Sequence, residues 1–356
     1  MSSMGDVFHT FPALTDAQRA IPGLVVDWVV EDAFREIPAW HPVIDRVLPI
    51  SLRQWRKRPF AKQTRQQKAA FFAKLNEQKY DLVLDAQGLL KSAWVVRQIA
   101  APKIGKVGLD WASAREKLAS LFYDRKIHVV KDQHAITRLR ELFAKALNYP
   151  IPTTPIEYGL NHQAWLPLEQ LAEQISNQPY VVCLHATTWE TKYWPEDHWQ
   201  QLITKLNQQG LKVVLPWGNA EEKVRSERLA AGLNHQALGA LGVWCPPQQL
   251  KLNEMARLLK HAKAVVSVDT GLSHVAAALD VPMVVLYRVT DPKLVGALGQ
   301  NVVHLCSPLA PNYIKKFKPG QAQQSLQGLS VDEVLAKLPA FDRDVKDDLI
   351  NDIGVM

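Results

Sequence analysis

The chain has 356 residues, a length that suggests two domains more readily than one at about 100–200 residues each. Hydrophobic residues make up 47% and charged residues 22%, the balance of a folded chain. Cys183, Cys245 and Cys306 lack CxxC spacing, which speaks against a disulfide framework or structural zinc and makes a reducing cytoplasm the default. Lysine and arginine outnumber aspartate and glutamate 42 to 35, and the net charge of +7 calls for a polyanion: nucleic acid, an anionic membrane surface, or a phosphorylated or carboxylated substrate.

In chain order, Gly5-Asp6 reads as the turn between a first strand and its helix, with almost no chain ahead of it to supply the strand. The expectation is a first domain that lacks this strand, or a start codon set too late. Residues 24–30 and 80–85 read as buried strands, separated by an amphipathic stretch over 61–77, and a helical pattern follows over 132–147. Tyr149-Pro-Ile-Pro-Thr-Thr-Pro155 is a break, and the 160s and 170s look irregular. Strands are then expected over 180–184, 211–215, 264–268 and 282–287, alternating with helices over 195–208, 220–233, 253–262 and 273–279. Such alternation means α/β architecture, parallel sheets with helices on both faces. The linker divides it into two doubly wound Rossmann-like domains, 1–155 and 156–338. Ser330-Val-Asp-Glu333 opens a last helix, and 339–356 is an acid-rich tail. No apolar run approaches the roughly 20 residues of a membrane span, and the amino end has neither the basic nor the apolar region of a signal peptide.

Five segments carry chemistry. Val265 to His274 is an apolar strand ending in Asp269-Thr270-Gly271, with a short Ala-rich helix behind it. Unpaired N–H groups at such a helix start cradle phosphate, and Gly271 permits close approach; the alternative is that Asp269 and Thr270 only cap the helix. A single Asp-Thr-Gly in an α/β context excludes an aspartic protease, which needs paired carboxylates. His185 to Trp194 also follows a strand, and Thr187, Thr188 and Lys192 supply two hydroxyls and an ammonium that suit a diphosphate. Pro216-Trp-Gly-Asn-Ala-Glu-Glu222 places Glu222 either on ribose hydroxyls or, as spacing alone favours, on the helix dipole. Asp6 is placed as a general base if an acceptor hydroxyl attacks a sugar carbon that leaves a nucleoside diphosphate. Arg53, Arg56, Lys57, Arg58, Lys62, Arg65 and Lys68 form a basic run with no acid between, and Lys91, Arg115, Arg125, Arg138 and Arg140 add charge to the same half. Its alternative is a solvated basic face. No nucleic-acid module is visible, so nucleic acid is not expected as the partner.

These segments resemble the ADP-heptose-dependent inverting glycosyltransferases of the GT-B fold, two Rossmann-like domains facing across a cleft. The resemblance rests on Ser-Ser-Met-Gly-Asp-Val at 2–7, Asp-Ala-Gln-Gly-Leu at 85–89, Leu-Phe-Tyr at 121–123 and Arg-Glu-Leu-Phe-Ala-Lys at 140–145. It continues through His-Ala-Thr-Thr at 185–188, Lys192-x-Trp194-Pro195, Leu-Pro-Trp-Gly at 215–218 and Ser-Val-Asp-Thr-Gly-Leu-Ser-His at 267–274. The His-Ala-Thr-Thr and Val-Asp-Thr-Gly-Leu-Ser-His pair points to the type I branch. The resemblance implies transfer of heptose from ADP-heptose to Kdo of Kdo2-lipid A with inversion, in inner-core lipopolysaccharide synthesis. Asp6 would be the base and Lys192 the diphosphate stabiliser. Thr187, Thr188, Thr270 and Gly271 would hold the phosphates, with Asp269, Leu272 and His274 near the donor and Glu222 on the ribose. Arg53, Arg56, Lys57, Arg58, Lys62 and Arg115 would meet the acceptor's carboxylates and phosphates. No tightly bound cofactor or metal is called for, and the expected location is the cytoplasmic face of a Gram-negative inner membrane, by peripheral contact. The rival readings are a related transferase with another donor or acceptor, and a nucleotide-sugar-binding protein without turnover. Three departures stand out: the opening strand is missing, Arg288 replaces a family glycine, and extra residues occupy 239–247.

Overall fold

The computed structural model describes residues 3–161, 175, 178–233, 242–308 and 328–341. The acidic tail from 342, most of the 160s and 170s, and residues 239–241 of the extra segment lie outside them. The chain forms two units, Met1–Trp165 with Pro292–Gly296, and Leu166–Asp291 with Ala297–Met356.

In the first unit α1 (Met4–Ala20) precedes β1 (Val26–Glu31), β2 (Ile44–Ile50), α2 (Leu52–Lys57) and α3 (Lys62–Leu75). β3 (Leu82–Leu84), α4 (Leu90–Gln98), β4 (Gly105–Leu109), β5 (Arg125–Ile127) and α5 (Ala135–Leu147) follow. The expected turn at Gly5-Asp6 is instead the first turn of α1. Ser3 Oγ accepts from the Asp6 N–H at 3.3 Å and Asp6 Oδ2 accepts from the Ser3 N–H at 3.2 Å, a reciprocal cap that starts the helix here. Twelve of the 17 residues of α1 are buried, so it has no polar face. It is tied to α5 by the buried pair of Arg140 Nε and Asp16 Oδ2 at 2.6 Å. Arg140 is therefore a structural cation, not part of a surface basic patch. The strands fall into two parallel sheets, β1-β2 and β3-β4-β5, with no ladder between β1 and β3.

In the second unit the order along the chain is β6 (Tyr180–Leu184), α6 (Glu196–Gln208), β7 (Lys212–Val214), α7 (Ala220–Ala231), β8 (Val243–Trp244) and α8 (Leu252–Lys260). β9 (Ala264–Val268), α9 (Gly271–Ala278) and β10 (Met283–Tyr287) come next. The short α10 (Pro292–Val295) belongs to the first unit, and β11 (Val302–Cys306) and α11 (Val331–Leu335) complete the second. Its six strands form one parallel sheet in the order β11-β10-β9-β6-β7-β8. Every residue of β6, β9 and β10 is buried, as strands covered by helices on both faces must be. Val181, Val213, Val266 and Val284 pack with Trp194, Trp199 and Leu202, and Trp194 Nε1 donates to the Leu329 carbonyl at 2.9 Å. Chain order reverses at β6, with β7 on one side and β9 on the other. Ligands of such sheets bind at the carboxyl ends of the strands at this switch point.

Candidate functional site

Leu184 of β6 stands opposite Ser267 of β9, so the loops that leave these strands emerge side by side. They are joined by side chains. Lys192 Nζ lies 2.6 Å from Asp269 Oδ2, with side-chain exposures of 15% and 11%. Thr187 Oγ1 donates to the Asp269 carbonyl at 3.0 Å, and the Lys192 ammonium stands 4.8 Å from the centre of the Trp189 ring. Two sequence motifs 77 residues apart are thus one cluster. Thr270 is the N-cap residue of α9, yet its side chain makes no capping hydrogen bond. The N–H groups of Gly271 and Leu272 have no carbonyl one turn earlier to bond, so the first turn of α9 presents donors beside Lys192. Ser273 Oγ donates to the Thr270 carbonyl at 2.6 Å, and His274 is buried behind it. Thr188 is exposed at the edge of the cluster.

His185 is fully buried beneath this loop. Its Nε2 lies 2.8 Å from Ser226 Oγ, and burial, with the Arg225 charge nearby, lowers its pKa to about 3. It is a neutral core residue. Glu222 closes its own loop: Oε2 accepts from the Gly218 N–H at 2.7 Å, while the Glu222 N–H donates to Asn219 Oδ1 at 2.9 Å. Arg288 is buried just beyond β10, and desolvation lowers its pKa.

In the first unit the loop after β3 holds a buried carboxylate. Asp85 is buried; its Oδ1 accepts from the N–H groups of Gln87 and Gly88 at 2.8 and 3.2 Å, and its Oδ2 from the Tyr123 hydroxyl at 2.6 Å. Gly88 sits at φ +61°, where a side chain would be strained and would press on Leu109 and Ala114. Gln87 Nε2 donates to Asp6 Oδ2 at 3.4 Å. Asp6 is therefore held by its helix cap and by Gln87. Half-buried Lys91 has its pKa lowered by burial, against the pull of Asp6 and Glu31 and together with the push of Arg53 and Arg115. The structure thereby gathers Asp6, Lys91, Glu31, Arg53 and Arg115 into one neighbourhood. Arg56, Lys57, Arg58 and Lys62 are exposed on α2, the turn after it and the start of α3. Trp55 is buried, its Nε1 donating to Gln67 Oε1 at 3.1 Å, which makes it a packing residue. Gln87 and Lys91 are absent from the sequence-based site. Gln87 has a signal, its position directly after a strand in Asp85-Ala-Gln-Gly-Leu89; for Lys91 only the charge count points to it.

Residues 68–325 match the family model for glycosyltransferase family 9 (heptosyltransferase). The chain is 47% identical to lipopolysaccharide heptosyltransferase 1 of Pseudomonas aeruginosa over 338 residues, covering 94% of this chain and 91% of that one. Among solved structures it resembles E. coli heptosyltransferase WaaC with ADP, at 44% identity and a TM-score of 0.81, covering 94% and 96% of the two chains. The same enzyme with ADP-2-deoxy-2-fluoro heptose gives 43% identity and a TM-score of 0.77, with the same coverage.

Proposed function

The chain belongs to glycosyltransferase family 9, the heptosyltransferases, and we propose that it moves L-glycero-D-manno-heptose from ADP-heptose to a Kdo hydroxyl of Kdo2-lipid A, with inversion at the anomeric carbon. The observation that carries this reading is the cluster of Lys192, Asp269 and Thr187 at the amino end of α9, a cation and open N–H donors set at the sheet's switch point. Such a set holds a diphosphate and stabilises it as it leaves. Solved relatives carry ADP and an ADP-heptose analogue by their descriptions.

In this reaction the acceptor hydroxyl attacks C1 of the heptose and its proton passes to Asp6. The C1–O bond breaks and ADP departs with the electron pair, its charge met by Lys192 and by the N–H groups of Gly271 and Leu272. Thr187, Thr188 and Thr270 offer hydroxyls to the phosphates. Asp269 holds Lys192 in position, His274 backs the helix start, and Glu222 has its second oxygen for a ribose hydroxyl. Arg53 and Arg115 take the acceptor's carboxylates, while Arg56, Lys57, Arg58 and Lys62 meet the lipid A phosphates and the anionic cytoplasmic face of the inner membrane. Among the described residues no helix is long and apolar enough to cross a membrane.

The test is ADP release from ADP-heptose in the presence of Kdo2-lipid A. Asp6→Asn keeps the cap to Ser3, so it isolates the proton transfer; turnover is expected to fall by about 10²–10⁴-fold with ADP affinity unchanged. Near-normal turnover of this variant removes Asp6 from the mechanism.

A further inference from the structure

Exposed apolar side chains gather at one end of the first unit. β3 and β4 are parallel neighbours, so the loops after them leave at the same end, and α4 begins there. α3 runs beside α4 in the same direction: the Phe72 and Trp94 ring centres are 5.3 Å apart, and Asn76 Nδ2 donates to the Gln98 carbonyl at 3.1 Å. The turn over 58–61 that leads into α3 therefore lies at the end where α4 starts. Phe60 on that turn is 81% exposed, more than any other large apolar side chain among the described residues. Leu90 opens α4, Trp111 follows β4 by two residues, and Leu118 lies on the short 3-10 helix Lys117–Phe122. These three are 40%, 50% and 51% exposed. The 3-10 helix is pinned to the same end, because the Leu90 N–H donates to Glu116 Oε2 at 2.6 Å and the Glu116 N–H to the Gly88 carbonyl at 3.0 Å.

A single exposed apolar side chain is ordinary, but a set of them at one end marks an interaction surface. The charge around them chooses the occupant. Phe60 is flanked by exposed Arg56, Lys57, Arg58, Lys62 and Arg65, and no acid occurs from 53 to 75. α3 buries only Thr64 and Leu75 of its 14 residues, so most of this basic helix is left without a protein cover. A second copy of the chain would set like charge against like on this surface. An anionic lipid surface satisfies both features at once, with phosphates at the cations and acyl chains at the apolar tips. We propose that this end of the first unit docks on an anionic bilayer with Phe60, Leu90 and Leu118 inserted to the boundary of headgroups and chains. Trp111 lies at the interface, where its amphipathic ring is favoured. Apolar burial then holds the contact together with charge. The inference deepens the membrane contact of the heptose-transfer reading and rests on that reading for the identity of the partner. Asp6 is tied through Gln87 to the loop after β3, at this same end. An acceptor lipid can therefore offer its sugar to Asp6 while its chains stay in the bilayer.

Sedimentation with vesicles of phosphatidylethanolamine and phosphatidylglycerol separates the two contributions. At about 1 M salt the Debye length falls to about 3 Å, and contact through charge alone is lost. The parent chain is expected to remain bound there. Phe60→Ser combined with Leu118→Ser is expected to weaken partitioning by about 10–100-fold at low and high salt alike, with an unchanged unfolding midpoint. Lipids brominated near the headgroup end of their chains should quench a part of the tryptophan emission that the Trp111→Phe chain lacks. The proposal is overturned if binding of the parent vanishes at about 1 M salt and the double variant binds as the parent does at low salt. That result leaves an electrostatic contact and does not touch the heptose-transfer reading, which fails alone if ADP release with Kdo2-lipid A is absent. A dimer of the chain that the double variant dissociates, with vesicle binding unchanged, also overturns the proposal and makes this end a contact between copies.

Discussion

Lys192 has two partners to choose between, a neighbouring carboxylate and an incoming diphosphate, and a double-variant cycle separates them. Lys192→Met removes the charge while keeping most of the stem, and it strands the Asp269 carboxylate, whose side chain is 11% exposed. Breaking a fully buried pair costs about 3–5 kcal/mol; residual solvent at this one reduces the figure to about 2–3 kcal/mol. For a unit of this size that is a fall of about 5–10 °C in the unfolding midpoint. Separately, loss of one charge-assisted hydrogen bond to ADP costs about 1.5–3 kcal/mol, or about 10–150-fold in Kd. Lys192→Met with Asp269→Asn removes both charges, and its stability should return to within about 1 kcal/mol of the parent. Its ADP affinity should not return. Calorimetric titration with ADP and thermal unfolding of the three chains supply both readouts. If the double variant binds ADP as the parent does, Lys192 serves only to neutralise Asp269, and the diphosphate role fails.

Further predictions follow from the packing and the charges. A Cβ on Gly108 would lie 2.4 Å from the Tyr123 ring, so Gly108→Ala must displace the tyrosine that holds Asp85; a loss of about 2–4 kcal/mol in urea unfolding is expected, and an unchanged midpoint refutes the packing argument. Burial lowers His41 to a pKa of about 4 and His185 to about 3. Below pH 6.5 the unfolded chain therefore takes up protons that the folded chain refuses. Stability is complete above about pH 6.5 and falls as pH drops toward 4, by about 1.4 kcal/mol per pH unit for each histidine; a flat profile from pH 7 to 5 contradicts it. Replacing exposed Arg56, Lys57 and Arg58 together by Ala should leave the midpoint unchanged while weakening sedimentation with anionic vesicles by about 100-fold at low salt. Equal binding would mean a merely solvated face.

What is legible in the sequence follows burial. β6, β9 and β10 can be read to within a residue because each is an unbroken apolar run, the signature of a strand covered on both faces. β4 is Gly-Lys-Val-Gly-Leu and β5 only Arg-Lys-Ile, and no periodicity marks them. Pairing with β3 decides them, through contacts far apart in sequence. The bounds of α1, the helix expected after Gly5-Asp6, escape for the opposite reason. Burial all round erases the polar face by which helices are recognised, and Pro12 inside it argues locally against a helix at all. What overrides that signal is the Arg140–Asp16 pair, a tertiary contact, together with the local Ser3 cap at the helix start.

The site residues divide along the same line between local and distant causes. Helix starts recruit Ser, Thr, Asp and Glu because their first N–H groups are unpaired, and anionic ligands use those same groups. Capping and binding therefore look alike in sequence. At Asp6 and Glu222 the carboxylate does close its own helix start, at 3.2 and 2.7 Å, so either residue is accounted for without a ligand. At Thr270 the side chain does not cap, which leaves the donors of α9 open. Lys192 has no such local account. No helix start calls for an ammonium, its carboxylate partner lies 77 residues away, and holding it costs both groups part of their hydration. A cation kept at that cost beside uncapped N–H donors argues for an anion more strongly than either feature does alone.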